Sequence, residues 1–196
     1  MAAGLLLTGG SSRRMGRDKA ELVIAGERLA DRSARVLASV CDPVLEIGPG
    51  RSTLDAVVDD ESGAGGARAG PLAALVTGIG ALRARGYEGD VVLLGVDLPF
   101  ASEELLRLVA NHPAPDTVVP ISGGMRQSCC ARYAPGALEK AASLVERGER
   151  ALHALLSTVP VVEIGEKEWR AVAPADALAD LDTPEDLARY GVDGAQ

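Results

Sequence analysis

Residues 4–19 read GLLLTGGSSRRMGRDK, an apolar run followed by a segment rich in glycine and arginine. The run Leu5-Leu6-Leu7 is typical of a short strand that is buried on both faces, and it stops at Thr8-Gly9-Gly10. Glycines allow a sharp turn that brings backbone N–H groups close to an anion, and the basic side chains up to Lys19 add positive charge. The stretch therefore predicts a first strand that opens into a phosphate-binding loop.

Two common nucleotide-binding motifs are absent from this stretch. The P-loop pattern GxxxxGK[ST] does not occur, and the glycines at 9, 10 and 16 do not form the GxGxxG turn of NAD-binding domains. A run of this composition can also be a plain solvated turn. Arg14 and Lys19 are the candidate cations for a bound phosphate, and either could instead be a solvated side chain of the loop.

The composition predicts one globular domain over residues 1–196. Of the 196 residues, 47% are hydrophobic, which is enough for one well-buried core. The 20 basic residues stand against 28 acidic ones, so the formal charge is −8 at pH 7. Binding to a nucleic-acid backbone needs a broad basic face. A nucleic-acid partner is therefore excluded, whereas a small anion held by the local basic loop is compatible with this charge.

The three cysteines, Cys41, Cys129 and Cys130, form no CxxC pair and are odd in number. They indicate neither a zinc site nor a disulfide framework, and we expect reduced thiols that pack in or near the core. The N-terminus lacks a basic segment followed by a long apolar one, and the longest uncharged run, residues 69–82, is too short and glycine-rich to span a bilayer. These features predict a cytoplasmic protein without a membrane partner.

Short apolar runs alternate with helical patterns along most of the chain. This alternation predicts an α/β protein, a three-layer α/β/α sandwich around a mostly parallel, mixed sheet. One of the helices is predicted to have Asp31 as its N-cap. The glycine-rich residues 61–70 are predicted to form a loop of the kind that closes over ligands. Residues 90–96 give the clearest buried strand, and the carboxylate of Asp97 directly after it falls at the edge where parallel sheets bind ligands.

A second candidate carboxylate lies near the end of the chain. Residues 179–187 read ADLDTPEDL and predict a strand end followed by a helix that Thr183 caps and Pro184 begins. Magnesium takes one or two carboxylates together with substrate phosphates, which suits Asp97 and Asp182. Taken alone, Asp97 could belong to an ordinary turn and Asp182 to a capped helix start.

Several motifs, in the same order along the chain, resemble those of the molybdenum cofactor guanylyltransferases, the MobA-like nucleotidyltransferases. Residues 7–19 resemble the family signature LAGGxSxRMGxDK, with Thr8 in place of the usual alanine and Arg17 in place of a second glycine. GPLAA at 70–74 is similar to the family's GPLAG element, and DLP at 97–99 is similar to its DxP motif. DLDTPEDL at 180–187 resembles [ND]x[ND]TPEDL. The resemblance spans most of the chain.

This resemblance implies the Rossmann-like nucleotidyltransferase fold and a defined reaction. The terminal phosphate of molybdenum-bound molybdopterin would attack the α-phosphorus of GTP, giving molybdopterin guanine dinucleotide and pyrophosphate. A phosphate monoester is already largely dianionic at pH 7, so no general base is required. The implied metal is Mg²⁺. The implied partners are GTP and molybdopterin, with or without molybdenum, together with the proteins that deliver molybdopterin and the molybdoenzymes that receive the product.

Carried over position by position, the resemblance also assigns residues to the site. The implied catalytic residues are Arg14, Lys19 and Asp97. The implied GTP site comprises Leu7, Thr8, Gly9, Gly10, Arg14, Gly16, Lys19, Asp60, Gly70 and Asp97. The implied metal ligands are Asp97 and Asp182. The pterin side would use Gln127, Asp180 and Asp182, and Arg126 and Arg150 are further candidates that could equally be plain surface residues. Gly48 stands where some members of the family place an asparagine that contacts the base.

Three alternatives stay open at this stage. A cytidylyltransferase of the same pathway tends to read LAAG at the loop, whereas Thr8-Gly9-Gly10 keeps the glycine pair that leaves room for the exocyclic amine of guanine. Sugar-phosphate nucleotidyltransferases are usually longer. A non-catalytic nucleotide-binding adaptor on the same fold would lack the metal aspartates or the loop lysine, and this sequence contains all of them.

Overall fold

A computed structural model of the chain describes residues 1–9, 18–58, 70–181, 183–190 and 192. Its strands are β1 (Ala3–Leu7), β2 (Val23–Ile24), β3 (Glu27–Arg28), β4 (Val44–Ile47), β5 (Ala56–Val57), β6 (Val91–Gly95), β7 (Thr117–Ser122), β8 (Met125–Arg126), β9 (Cys130–Tyr133) and β10 (Val161–Ile164). Its helices are α1 (Leu29–Ala38), α2 (Gly70–Ala84), α3 (Glu103–Ala110), α4 (Pro135–Glu146), α5 (Leu152–Leu156), α6 (Glu166–Trp169) and α7 (Pro184–Tyr190), with a 3₁₀ turn at Lys19–Glu21.

The strands form one large mixed sheet and the small β2–β3 hairpin. Within the described part of the chain, neighbours in the large sheet run in the order β10, β7, β9, β6, β1, β4 and β5, and β8 pairs with β7. β1 lies parallel to both β4 and β6, and β4 lies parallel to β5. β9 is antiparallel to β6 and β7, whereas β10 is parallel to β7. The predicted α/β fold with a mixed sheet is confirmed.

Helices cover both faces of this sheet, because successive side chains of a strand point to opposite faces. Leu5 and Leu93 belong to the apolar cluster that α2, α4 and α5 complete on one face. Leu6 and Leu94 belong to the cluster on the other face, with side chains from α1, α3 and α6. All four leucines are fully buried. The three-layer arrangement brings the carboxyl ends of β1, β4 and β6 to one edge of the sheet.

The N-terminal boundary of α1 differs from the sequence prediction. The helix begins at Leu29, and Asp31 is not its N-cap but lies in its first turn, where its carboxylate accepts a 2.8 Å hydrogen bond from Nε of Arg28. The earlier start is explained by burial, since Leu29 and Ala30 are fully buried in a third apolar cluster together with Ala20. Hydrophobic contact thus sets this boundary more strongly than capping does.

The acidic segment before α7 also differs from the prediction. Residues 179–181 form no strand, and the N–H of Leu181 instead donates to the Asp97 carbonyl at 3.1 Å. The side chain of Leu181 is fully buried. The helix that follows begins at Pro184 as predicted, with the Asp186 N–H donating to Oγ1 of Thr183 at 3.2 Å.

Cys41 and Cys130 are buried, Cys129 is half-buried, and all three are free thiols, as expected of reduced packing residues.

No helix in the described ranges combines the length and the apolar character needed to cross a membrane.

Arg132 on β9 is a buried cation that fixes the chain between α3 and β7. Its side chain is 4% exposed, and the nearest carboxylate, that of Asp90, lies 3.5 Å away. The guanidinium donates to the carbonyl groups of four residues in this connection, Ala110, His112, Ala114 and Asp116. One side chain therefore satisfies several backbone acceptors that lie close to the core.

We expect Arg132→Met to lower the free energy of unfolding by about 3 kcal/mol, because it removes the donor for these acceptors and leaves them buried. Urea unfolding followed by circular dichroism measures the loss. Arg107→Met is the matched control, since Arg107 is exposed on α3 and forms a surface ion pair with Glu103 one turn away. It should change stability by less than about 0.5 kcal/mol. Equal unfolding midpoints for the two variants would contradict the structural role of Arg132.

Candidate active site

A cavity of about 240 Å³ lies at the carboxyl edge of the sheet. It forms where β1 and β6 end side by side, with Leu7 in register with Gly95. The described residues that line it are Leu7, Thr8, Gly9, Asp18, Lys19, Pro71, Gly95, Val96, Asp97 and Cys129. Five residues singled out from the sequence, Leu7, Thr8, Gly9, Lys19 and Asp97, thus come together in one place.

Asp97 lies in a tight turn directly after β6. The N–H of Leu98 donates to the Gly95 carbonyl at 3.1 Å, which closes the turn. Gly95 leaves the space that the carboxylate occupies, since a Cβ there would lie 2.2 Å from Oδ1 of Asp97 and 3.1 Å from Cβ of Cys129. The absence of a side chain at residue 95 is therefore a condition for the position of the Asp97 carboxylate.

Burial and nearby negative charge raise the pKa of the Cys129 thiol, which lies at the cavity. Burial raises its pKa to about 12, and the negative charges of Asp97 and Asp180 act in the same direction against a hydrogen bond with Ser128. The thiol is therefore neutral at pH 7 and is neither a nucleophile nor a thiolate ligand. The hydrogen bond from the Leu181 N–H to the Asp97 carbonyl brings the backbone next to Asp180 beside Asp97.

Lys19 reaches the cavity from a different part of the chain. It begins the 3₁₀ turn, and the preceding residue, Asp18, caps that turn by accepting the Ala20 N–H at 3.1 Å. Ala20 is fully buried against the third apolar cluster. Burial of Ala20 and capping by Asp18 therefore hold the backbone of Lys19 beside the ends of β1 and β6.

Thr8 and Gly48 are complementary in shape. A Cβ at Gly48 would lie 2.2 Å from Oγ1 of Thr8 and 2.9 Å from the backbone nitrogen of Gly9. With threonine at residue 8, residue 48 has no room for a side chain. The asparagine contact that some similar enzymes make from this position is thus not available in this chain.

Gly70 and Gln127 are not among the described residues that line the cavity. Gly70 begins α2 with φ +72°, and a Cβ there would lie 2.9 Å from the carbonyl oxygen of Arg150. It allows the close packing that brings the next residue, Pro71, to the cavity. Gln127 directly follows β8, and its amide donates to the carbonyl of Ser122, the last residue of β7, at 3.4 Å.

The two basic candidates for the pterin side, Arg126 and Arg150, both contact other groups of the protein. Nε of Arg126 lies 2.8 Å from Oε1 of Glu163 on β10, and the Arg150 side chain donates to the carbonyl of Glu149 at 3.0 Å. The remaining predicted site residues, Gly10, Arg14, Gly16, Asp60 and Asp182, lie outside the residues that the structure describes. Residues 61–69 of the loop predicted at 61–70 also lie outside them, and Gly70 belongs to α2 instead.

Sequence reasoning missed Gly95, Cys129 and Asp18 as parts of the site. A glycine two residues before an aspartate that ends a buried strand is a readable signal for Gly95. Cys129 has no such signal, because it reaches the cavity through the antiparallel pairing of β9 with β6.

The donor set at the cavity suits a hard cation. Among the described ranges, no three His, Cys, Asp or Glu side chains converge as a ready-made metal cluster. Asp97 nevertheless offers carboxylate oxygens at the cavity, and oxygen donors combined with substrate phosphates are the environment that magnesium prefers. The neutral thiol of Cys129 adds no competing soft ligand.

Comparison with known proteins agrees with this geometry. Residues 4–179 match the model of the MobA-like NTP transferase domain. A probable molybdenum cofactor guanylyltransferase of Opitutus terrae is 32% identical, over 95% of this chain and 93% of the relative. A protein of the same description from Chloroflexus aggregans is 29% identical, over 95% and 92%. The crystal structure of molybdopterin-guanine dinucleotide biosynthesis protein A from Archaeoglobus fulgidus shares the fold, with a TM-score of 0.76, 21% identity and 96% of each chain covered. Because the family match includes every described residue that lines the cavity, the chain belongs to the MobA-like NTP transferase family and is a nucleotidyltransferase.

Proposed function

We propose that this enzyme transfers GMP from GTP to the terminal phosphate of molybdopterin, free or molybdenum-bound, forming molybdopterin guanine dinucleotide and pyrophosphate. The observation that carries the proposal is the convergence of Gly9, Lys19 and Asp97 on one cavity. Gly9 and Lys19 belong to the stretch that resembles the family signature, and Asp97 belongs to the DLP that resembles the DxP motif. The relatives from Opitutus terrae and Chloroflexus aggregans, described as probable guanylyltransferases, support guanine as the base.

In this mechanism the protein positions two phosphates and offsets their charge. The acceptor phosphate is a dianion near neutral pH and needs no base to attack the α-phosphorus. We assign the triphosphate to the backbone at Gly9 and the residues that follow, Gly10, Arg14 and Gly16. The ammonium group of Lys19 would neutralise the phosphates and the departing pyrophosphate. Positioning and electrostatics of this kind supply most of the rate enhancement in phosphoryl-transfer chemistry.

The proposed metal is Mg²⁺, with Asp97 as its ligand in the described part of the chain. Asp182 remains the second ligand on sequence grounds. When bound, the ion offsets negative charge on the phosphate oxygens of the nucleotide. Asp97 itself needs a fixed orientation for this role, which the turn at Gly95 and the hydrogen bond from Leu181 to its carbonyl would provide.

We assign the acceptor to the neighbourhood of Asp180, since the next residue, Leu181, donates its N–H to the Asp97 carbonyl. Asp60 and Gly70 are retained as residues near the nucleoside, Gly70 through its packing rather than by direct contact. The free cysteines agree with a cytoplasmic, reducing environment. A molybdopterin-delivering protein and a receiving apoenzyme complete the proposed set of partners.

The test is thermal unfolding with Mg²⁺ and GTP, CTP, ATP or UTP, each at high excess. A nucleotide at a hundred times its dissociation constant should add about 2.7 kcal/mol of stability. We expect this shift with GTP alone, and we expect Lys19→Met to reduce it. A shift with CTP alone would identify a cytidylyltransferase instead, and no shift with any nucleotide would reject the proposed site.

A further inference from the structure

Glu46 is a buried carboxylate for which the proposed chemistry has no use. It lies on β4 with no exposed surface, yet its neighbours in the strand are apolar. Oε1 accepts hydrogen bonds from the Thr8 hydroxyl at 2.5 Å and from the N–H of Arg51 at 2.7 Å. Three further donors surround the carboxylate: the Gly50 N–H, the Ser52 N–H and the Ser52 hydroxyl. These contacts connect the end of β1 to the segment that follows β4.

The same segment also holds the other side of the cavity. Nε of Arg51 lies 2.9 Å from Oδ2 of Asp18 and 3.7 Å from Oε1 of Glu21. Asp18 is the residue that caps the turn carrying Lys19. The backbone of Arg51 is therefore fixed by Glu46, while its side chain is fixed on Asp18.

Two walls of the cavity thus share one support. We name Thr8 and Gly9 the first wall, and Asp18 and Lys19 the second wall. We propose that Glu46 is a positioning residue that sets the distance between the two walls, by binding the Thr8 hydroxyl directly and Asp18 through Arg51. Where the inference concerns GTP, it rests on the proposed function, because Gly9 and Lys19 are the wall residues that are proposed to bind the triphosphate.

The chemistry of the donors explains why residue 46 is acidic. All five groups that face it donate hydrogen bonds, and a carboxylate accepts with both oxygens, whereas an amide would turn an NH₂ group toward some of these donors. Burial alone would raise the pKa of Glu46. The hydrogen bonds from Ser52, from Thr8 and from the Arg51 and Ser52 backbone outweigh burial and hold the pKa below its ordinary value. Glu46 is therefore ionised at neutral pH and can accept from all five donors at once.

The two links are expected to differ in strength. The contacts of Glu46 are buried and involve an ionised acceptor, the class of hydrogen bond that contributes most to stability. The Arg51–Asp18 pair is more than a third exposed on both sides and is correspondingly weak. Because Glu46 acts on Asp18 through Arg51, loss of Glu46 should disturb the first wall strongly and the second wall no more than loss of the Arg51 side chain does.

Hydrogen exchange in the free protein tests the proposal without any nucleotide. The measured group is the Ala20 N–H, which Asp18 holds in the second wall. We expect Arg51→Met to speed its exchange about threefold, the range of an exposed ion pair, Glu46→Gln to speed it by no more than that, and Thr8→Ala to speed it less. Arg132→Met is the control for general destabilisation. In this variant the free energy of opening at Ala20, relative to that of global unfolding, should be unchanged. Unchanged exchange at Ala20 in Glu46→Gln would overturn the proposal.

Steady-state kinetics with GTP provides the second readout. We expect Glu46→Gln and Thr8→Ala each to raise the KM for GTP about tenfold. The double variant should be little worse than Glu46→Gln, because the two residues act through one contact. Thr8→Ser, which keeps the hydroxyl, should restore the wild-type KM. Additive effects, or a Thr8→Ser variant as impaired as Thr8→Ala, would count against the positioning role. Absence of GTP turnover in the wild type would reject the proposed function, and the exchange experiment would still decide the role of Glu46.

Discussion

Replacing Asp97 by asparagine is expected to lower kcat for guanylyl transfer about a thousandfold, because the metal ion that this carboxylate is proposed to hold contributes several kcal/mol to charge stabilisation. The fold should survive, since Asp97 is half-buried and its backbone carbonyl still accepts from the Leu181 N–H. Steady-state release of pyrophosphate, measured at saturating GTP, Mg²⁺ and molybdopterin, gives kcat directly.

The matched control for this variant is Asp42→Asn. Asp42 is exposed and lies two residues before the β4 strand, at the edge of the sheet opposite to the cavity. It should turn over like the wild type. If Asp97→Asn and Asp42→Asn had similar kcat values, the carboxylate of Asp97 would have no part in the reaction.

Replacing Gly95 by alanine is expected to lower kcat about a hundredfold although no charged group is removed. The added Cβ would lie 2.2 Å from Oδ1 of Asp97, so the carboxylate must move away from its position. A displacement of about 1 Å in a catalytic group is enough for an effect of this size. The measurement is again pyrophosphate release, combined with thermal unfolding to show that the protein remains folded.

Gly80→Ala is the control for Gly95→Ala. Gly80 lies on α2, and a Cβ there would meet no heavy atom within 4 Å. Alanine favours a helix more than glycine does, so this variant should be as stable as the wild type or more so. Full activity of Gly95→Ala would show that the position of the Asp97 carboxylate is not set by the room at residue 95.

Short-range patterns in the sequence were sufficient to find the centre of the fold. The apolar runs at β1 and β6 each end in a residue that lines the cavity, and both strands lie in the middle of the sheet. A buried parallel strand is a continuous apolar run, so its end is visible without knowledge of its neighbours. This is why Asp97 could be proposed from the sequence.

Contacts between distant residues were not predictable in this way. Glu46 interrupts a short apolar strand and resembles an ordinary polar residue of a strand edge. Its burial depends on Thr8, which is 38 positions earlier, and on three backbone N–H groups that face it only after the chain has turned. The antiparallel direction of β9, which brings Cys129 to the cavity, depends likewise on tertiary pairing.

The early start of α1 has a related explanation. Asp31 has the chemistry of an N-cap, but the two apolar residues before it gain more by burial than a cap contributes. The sequence shows the local preference for an N-cap at Asp31. It does not show the burial of Leu29 and Ala30, which outweighs that preference.

The most direct test of the proposed function is product analysis. Purified protein would be incubated with Mg²⁺, molybdenum-bound molybdopterin and either GTP or CTP, and the pterin products would be separated and identified by mass spectrometry alongside a pyrophosphate assay. We predict molybdopterin guanine dinucleotide and an equimolar amount of pyrophosphate with GTP, and neither product with CTP. A cytosine dinucleotide formed from CTP, or pyrophosphate release without any dinucleotide, would contradict the account.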